Sequence, residues 1–352
     1  MFATDWLERL PLYANLAIFA TAAAGVWLAA RRLPLYADEI CDRFRIGHAF
    51  AGLVFLAGTT QLPEIVTTLT GAVAGYAPLL LNNLFGGIVL QTAILAVADL
   101  FAGRAPLTSY PRKSTPILES SALILLLTLL LAIVTVGESE LFANIGVGAV
   151  FLAAAYCAAI YILRSYDQQT IWTPVEVSEA LEEAVRLPTG KPLTEAPSSQ
   201  IIGSFAAAAA VILLCGVVLV AAAETIAIQS GIGESFIGAT LLAAVTSLPE
   251  IAATVAAVRI GAYTMALSNI FGANLIVLAL ILPADILFRG GPILQHVDRS
   301  AQFALIAGIL TTAFFTCGLV LRTRFKLGPV GLDSACVFAI YLVTVVIFYA
   351  LR

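Results

Sequence analysis

Runs of about twenty apolar residues leave a chain few folds to choose from. Here they fall at roughly 12–30, 46–71, 77–101, 117–136, 141–163, 201–228, 232–258, 262–287, 300–321 and 331–351. Hydrocarbon offers the backbone no hydrogen-bond partners, so each run must satisfy its own amides, which a helix does alone. Charged residues are 11% of the 352, against about 25% in a soluble domain. The sequence therefore predicts an all-α, polytopic membrane protein with ten transmembrane helices. Arg31, Arg32 and Pro34 follow the first run and 36–45 is polar, so that element reads either as one long kinked helix or as a span plus an interfacial turn.

Composition also sets limits. There is no basic domain or aromatic platform for nucleic acid. Cys41, Cys157, Cys215, Cys317 and Cys336 form no CxxC pair and read as small packing residues. Two histidines, His48 and His296, exclude a histidine-rich metal site. Asp5 and Glu8 spoil the basic region of a signal peptide. The one sizeable polar stretch is 165–200, where Thr173-Pro174-Val175-Glu176 reads as a capping box. Its plain reading is a linker with a short amphipathic helix; a regulatory, ion-sensing segment is the alternative. With ten spans, 14 of the basic residues fall on one side of the membrane and 4 on the other. The richer side is cytoplasmic by the positive-inside rule. Both termini then face outward, and 165–200 is cytoplasmic.

Two short stretches interrupt the apolar runs: Leu62-Pro63-Glu64 and Leu248-Pro249-Glu250. A carboxylate at mid-bilayer costs on the order of 3 kcal/mol on insertion scales, so it faces a cavity or an ion pathway. The proline removes a backbone donor and breaks the helix, and broken helices survive in membranes where they line protein or water. The two stretches lie 186 residues apart. At that offset, residues 37–99 and 223–285 align without a gap and share 22 identities in 63 positions. The matches include Thr60 with Thr246, Asn83-x-Phe85-Gly86 with Asn269-x-Phe271-Gly272, and Asp99 with Asp285. Shared hydrophobicity does not align Pro-Glu, Asn-x-Phe-Gly and Asp together, so the chain reads as two homologous halves. Residues 1–164 form the first five-helix repeat, 165–200 the linker and 201–352 the second. An odd number of helices per half makes the repeats inverted, with the binding site at their interface near the midplane.

These motifs resemble the α-repeats of the cation/calcium exchanger superfamily, which includes the sodium/calcium exchangers. Those repeats carry Gly-Thr-Ser-Leu-Pro-Glu on one helix and Gly-Asn-x-x-Gly-Ser-Asn-x-x-Asn/Asp on the next. This chain has Thr59-Thr60-Gln61-Leu62-Pro63-Glu64 with 82–91, and Val245-Thr246-Ser247-Leu248-Pro249-Glu250 with 268–277. The resemblance implies Glu64 and Glu250 as ligands of the transported cation, with hydroxyls from Thr60, Thr246 and Ser247. Asn83, Asn269 and Gln91 fall on the following helix of the motif. It departs where the serine-like ligand becomes Gly87 and Ala273, where the last Asn/Asp becomes Gln91 and Val277, and where Gln61 replaces a serine. It also implies that helices 1 and 6 move against a bundle holding helices 2, 3, 7 and 8.

Calcium takes six to eight oxygens. Two carboxylates, the hydroxyls, water and freed carbonyls near Ala57 and Ala243 supply that number. The expected activity is antiport of Ca2+ for Na+ or H+ by alternating access, with no resident cofactor and no enzyme chemistry. Loss of a ligand at Val277 argues against coupling to three sodium ions. The rivals are exchange of Mg2+, Na+, K+ or H+, a channel of the same fold, or a transport-incompetent relative with a structural or sensing role. The expected location is multi-pass in the cell (inner) membrane. Other polar residues have plainer expectations. Asn83 and Asn269 either ligate or bond across helices. Gly75, Gly86, Gly261 and Gly272 allow close helix packing. Asp99 and Asp285 lie near helix ends and read as interfacial or capping residues rather than as a cation relay. Asp38 and Glu224 line an access path or sit at the membrane surface.

Overall fold

The computed structural model describes residues 5–30, 32, 36, 39–40, 43, 60–103, 105–111, 114–142, 144–167, 197–259, 261, 263–322 and 325–351. Asp38, Cys41, Ala57 and the linker residues 168–196 lie outside them. A helical turn at Asp5–Glu8 leads to α1 (Leu12–Ala30), α2 (Leu62–Ala74), α3 (Ala77–Ala98) and α4 (Thr115–Val136). A hairpin of β1 (Glu140–Phe142) and β2 (Ile145–Gly146) precedes α5 (Val147–Asp167). Then follow α6 (Ser198–Ser230), α7 (Glu234–Ile237), a π-helical turn at Gly238–Leu242, α8 (Ala243–Thr246) and α9 (Leu248–Arg259). The chain closes with α10 (Tyr263–Ala279), α11 (Ile281–Leu287), α12 (Arg299–Leu321), a hairpin of β3 (Lys326–Leu327) and β4 (Val330–Gly331), and α13 (Leu332–Leu351). The offset of 186 carries the starts of α1, α2 and α3 onto those of α6, α9 and α10.

Eight helical spans among the described residues are long and apolar enough to cross a bilayer. The pair Glu234–Thr246 and Leu248–Arg259 is apolar enough only when taken together, and it is bent by 50°, as in a broken span or a re-entrant loop. The helix α2 covers only the end of the run expected at 46–71, because 46–59 lie outside the described residues. Prolines 63, 78 and 116 stand in the first turns of α2, α3 and α4, where a missing N–H is one the helix leaves unpaired anyway.

The span containing α3 is 78% buried, whereas those of α5 and α13 are 17% and 22% buried. The fold is therefore built around α3, with α5 and α13 turned outward. Leu80, Leu84, Phe85, Ile88 and Leu95 of α3 share one apolar core with Phe271 of α10 and Phe315 of α12. A second cluster joins α1 and α6 through Phe19, Val26, Leu219 and Ala223. The 33-residue α6 is about 50 Å long at 1.5 Å per residue, well beyond a hydrocarbon core of about 30 Å.

Glycine roles divide more finely than the sequence suggests. Gly86 does allow close packing: a Cβ there would lie 2.7 Å from the Ala239 Cα. Gly238 presses against the Leu79 carbonyl in the same contact. Gly75 (φ 88°) and Gly261 (φ 78°) instead end their helices in the left-handed conformation, which costs glycine no Cβ clash. Among the described residues, no atom lies within 4 Å of a Cβ placed on Gly272.

Asp99 and Asp285 each make two buried bonds. Asp99 Oδ1 accepts from the Leu107 N–H (2.6 Å), and Oδ2 from the Gly331 N–H of the second hairpin (2.6 Å). Asp285 Oδ1 accepts from the Ile293 N–H (2.6 Å), and Oδ2 from the Gly146 N–H of the first hairpin (2.7 Å). Each carboxylate thus holds the loop eight residues after itself and the hairpin of the other half. Neither side chain caps the helix it sits on; both tie loops together, and the crossing between halves is new. Two predictions follow from this packing. Asp99→Ala leaves two buried N–H groups without partners, at about 1–3 kcal/mol each. Its melting temperature in detergent should fall by the equivalent of about 2–4 kcal/mol, with Asp99→Asn in between; an unchanged melting point would remove the clamp. Gly238→Ala should destabilise by about 1–3 kcal/mol through overpacking. Gly87→Ala, where a Cβ meets nothing within 4 Å, should be neutral or stabilising in the same assay.

Candidate cation-binding site

The two Leu-Pro-Glu stretches break their helices in the same way. Gln61 has φ −83° and ψ 1°, and Ser247, at the same place in the other half, has φ −85° and ψ 5°. This is the sparsely populated bridge region between helix and strand, where active-site residues recur. The proline two residues later cannot donate back along the helix, so the chain restarts there as a new helix. Glu64 and Glu250 therefore occupy the first turns of α2 and α9. A helix N-terminus carries about half a positive charge and favours an acidic side chain. Two helix starts, one from each half, thus hold the two carboxylates.

The carboxylates are buried, Glu64 at 3% exposure and Glu250 at 0%. They lie close enough to repel each other. Gln61 Nε2 donates to Glu250 Oε1 at 2.6 Å, crossing from one half to the other. From the middle of α3, Gln91 Nε2 donates to Glu64 Oε1 at 3.3 Å and to Ser247 Oγ at 3.2 Å. The hydroxyls of Thr246 and Ser247 face the Glu64 carboxyl. Glu64 Oε2, Glu250 Oε2, Gln61 Oε1 and Gln91 Oε1 are all buried and accept no hydrogen bond. A buried acceptor without a donor costs about 1–3 kcal/mol, more when charged. A cation takes lone pairs from oxygens of this kind without needing a donor.

The structure brings Glu64, Glu250, Gln91, Thr246 and Ser247 together. Thr60 is half-buried beside Gln61. Asn83 is 2% exposed, with its Oδ1 unpartnered. Asn269 is bound elsewhere: its Nδ2 donates to Thr254 Oγ1 at 3.1 Å, joining α10 to α9. Gly87 has no side chain, and Val277 is an apolar core residue at 1% exposure, so neither side chain supplies an oxygen. The Ala243 carbonyl needs correction: it already accepts from the Ser247 N–H (3.1 Å) and Thr246 Oγ1 (3.2 Å), so it is not free. Ala57 lies outside the described residues. Glu224 of α6 is 9% exposed and interacts with Glu234 of α7 rather than with the glutamate pair.

Sequence reasoning passed over three polar residues of this region. Gln61 reads as the loss of a serine, although its counterpart Ser247 is a candidate ligand. Asn274, 0% exposed, donates from Nδ2 to Thr92 Oγ1 at 3.4 Å and ties α10 to α3. Asn82 Nδ2 donates to Pro78 O and to both oxygens of Asp298 at 3.2 and 3.3 Å. Asp298 in turn caps α12 through the Ala301 N–H (2.7 Å) and accepts from Ser235.

The chain is similar to several known proteins. CaxA of Alkalimonas amylolytica is 27% identical over 285 residues, covering 81% of this chain and 84% of CaxA. The inner membrane protein YrbG of Escherichia coli (strain K12) is 28% identical over 261 residues, covering 72% of this chain and 74% of YrbG. Among solved structures, the crystal structure of the H+/Ca2+ exchanger CAX superposes with a TM-score of 0.69 at 16% identity, over 96% of this chain and 85% of that one. The sodium/calcium exchanger protein profile matches residues 14–164 and again 200–350. The chain, a multi-pass membrane protein, thus belongs to the sodium/calcium exchanger protein family, a family of transporters rather than enzymes.

Proposed function

We propose that the protein is a secondary cation antiporter that moves Ca2+ across the membrane in exchange for Na+ or H+ by alternating access. The observation that carries this reading is the cross-half cluster, in which Gln61 of the first half holds Glu250 of the second and Gln91 joins Glu64 to Ser247. Two carboxylates bring two negative charges, which one Ca2+ neutralises. The acceptors of Glu64, Glu250 and Gln91, with the hydroxyls of Thr60, Thr246 and Ser247, approach the six to eight oxygens calcium takes. Without a cation the carboxylates repel each other across a medium that screens poorly. The site therefore does not return uncharged-compensated, and a second cation species must reload it. That requirement couples the two fluxes.

The architecture we infer is ten spans in two inverted repeats, 1–164 and 201–352, joined by a cytoplasmic linker at 165–200, with both termini outside. The excess of basic residues on one set of loops supports this orientation. The apolar cluster that joins α1 to α6 is distinct from the main core around α3, α10 and α12, and among its buried members only Leu79, at the start of α3, comes from those three helices. The Asp99 and Asp285 clamps fasten the ends of the α3 and α11 spans to the two hairpins, outside α1 and α6. Both features support movement of α1 and α6 against the remainder. With Val277 apolar and Gly87 bare, the site is short of the oxygens that several sodium ions would need at once. It therefore suits one dication exchanged for protons or for few sodium ions.

The test is calcium uptake into vesicles containing the purified protein, first under an outward sodium gradient and then under an outward proton gradient. Uptake is expected under one of them, with Glu64→Gln and Glu250→Gln each lowering it at least a hundredfold. No uptake under either gradient would set calcium antiport aside and move other cations, or a role without transport, ahead of it.

A further inference from the structure

Gln61 stands where the second half has Ser247, and it does what no serine can. A carboxylate oxygen only accepts. The amide atom 2.6 Å from Glu250 Oε1 is therefore nitrogen, and the carbonyl end of the amide points away from that oxygen. Gln61 Oε1 is buried and without a donor, as is Glu250 Oε2, and the whole side chain is 1% exposed. Gln91 repeats the pattern against Glu64, with Nε2 on the carboxylate and Oε1 unpartnered. Two neutral amides thus each hold one carboxylate and each keep one buried oxygen without a donor. Both come from the first half. Their counterparts in the second half, Ser247 and Val277, provide one hydroxyl and nothing. The site is consequently asymmetric, although the repeats that build it are not far from equal.

We propose that Gln61 is a specificity-determining ligand of the cation site: its Nε2 fixes the Glu250 carboxylate while its Oε1 binds the cation, with Gln91 playing the same part for Glu64. A neutral oxygen raises the coordination number without adding charge. That favours a large dication with many ligands, such as Ca2+, over Mg2+, which keeps its waters and demands tight octahedral geometry. It also takes the place of the hydroxyls absent at Gly87 and Ala273. This inference rests on the antiport reading, so its test separates the two.

The experiment measures the melting temperature of the purified full chain in detergent against added calcium chloride, alongside calcium uptake in vesicles. Wild-type protein should be stabilised by calcium and transport it. Gln61→Met keeps the length and removes both polar atoms. It should melt below the wild type without calcium, having lost the donor to Glu250, and in addition need at least tenfold more calcium for the same stabilisation and show a matching rise in KM for calcium. Gln61→Ser, which copies the counterpart Ser247, should fall between and serves if the methionine variant does not fold. Magnesium should stabilise the wild type less than calcium, and Gln61→Met should narrow that difference. A merely structural glutamine would lower the melting temperature equally at every calcium concentration and leave the calcium dependence unchanged, which would overturn the proposal. If wild-type protein neither transports calcium nor is stabilised by it, the antiport reading and this inference fall together.

Discussion

Two buried carboxylates without a permanent counter-charge are the constraint around which this structure is arranged. Burying an ion without a partner costs several kcal/mol even after the surroundings relax. Among the described residues, neither Glu64 nor Glu250 has a lysine or arginine bonded to it; the one ion pair there is Arg43–Glu39. What faces the glutamates instead is weaker and adjustable: two helix N-termini, two glutamine amides and the hydroxyls of Thr246 and Ser247. These hold the charges in place without cancelling them. A fixed basic residue would cancel them and leave nothing for a transported cation to do. An exchanger needs a site that is satisfied only by its cargo.

The scaffold follows from keeping that site in register. The proline breaks set Gln61 and Ser247 at nearly the same dihedrals, which turns both glutamates into first-turn positions. The π-helical turn at Gly238–Leu242 lets Gly238 and Ala239 approach the backbone of α3 at Leu79 and Gly86. That contact brings Ser247 within reach of Gln91. Further out, Asp99 and Asp285 fasten each half to the hairpin of the other. The result is a bundle tied at both ends around α3, with α1 and α6 packed mainly on each other. Movement of that pair requires breaking apolar contacts but none of the four aspartate bonds.

Much of this was legible in the sequence, for a physical reason. Proline and glutamate are both costly inside a bilayer, so their joint appearance at matched places in two halves carries information that apolar residues cannot. Gly75 and Gly261 stood out in the sequence, but for close packing rather than for the left-handed helix ends they form, and Asp99 and Asp285 stood out as polar residues near helix ends. Their partners did not. A bond from Gln61 to Glu250 spans 189 residues, and no local pattern encodes it. Gln61 looked like a loss because a serine ligand was expected there; only the side-chain length, seen in place, turns the loss into a bridge. Ala243 misled for the opposite reason, since its carbonyl is used locally by Thr246 and Ser247.

The most direct measurement is X-ray diffraction from crystals soaked in strontium, a calcium-like cation with a usable anomalous signal. The account predicts one strong anomalous peak between the carboxylates of Glu64 and Glu250, within coordination distance of Gln61 Oε1 and Gln91 Oε1. A peak elsewhere with none at the glutamate pair, or no peak at strontium concentrations that stabilise the protein, would contradict it.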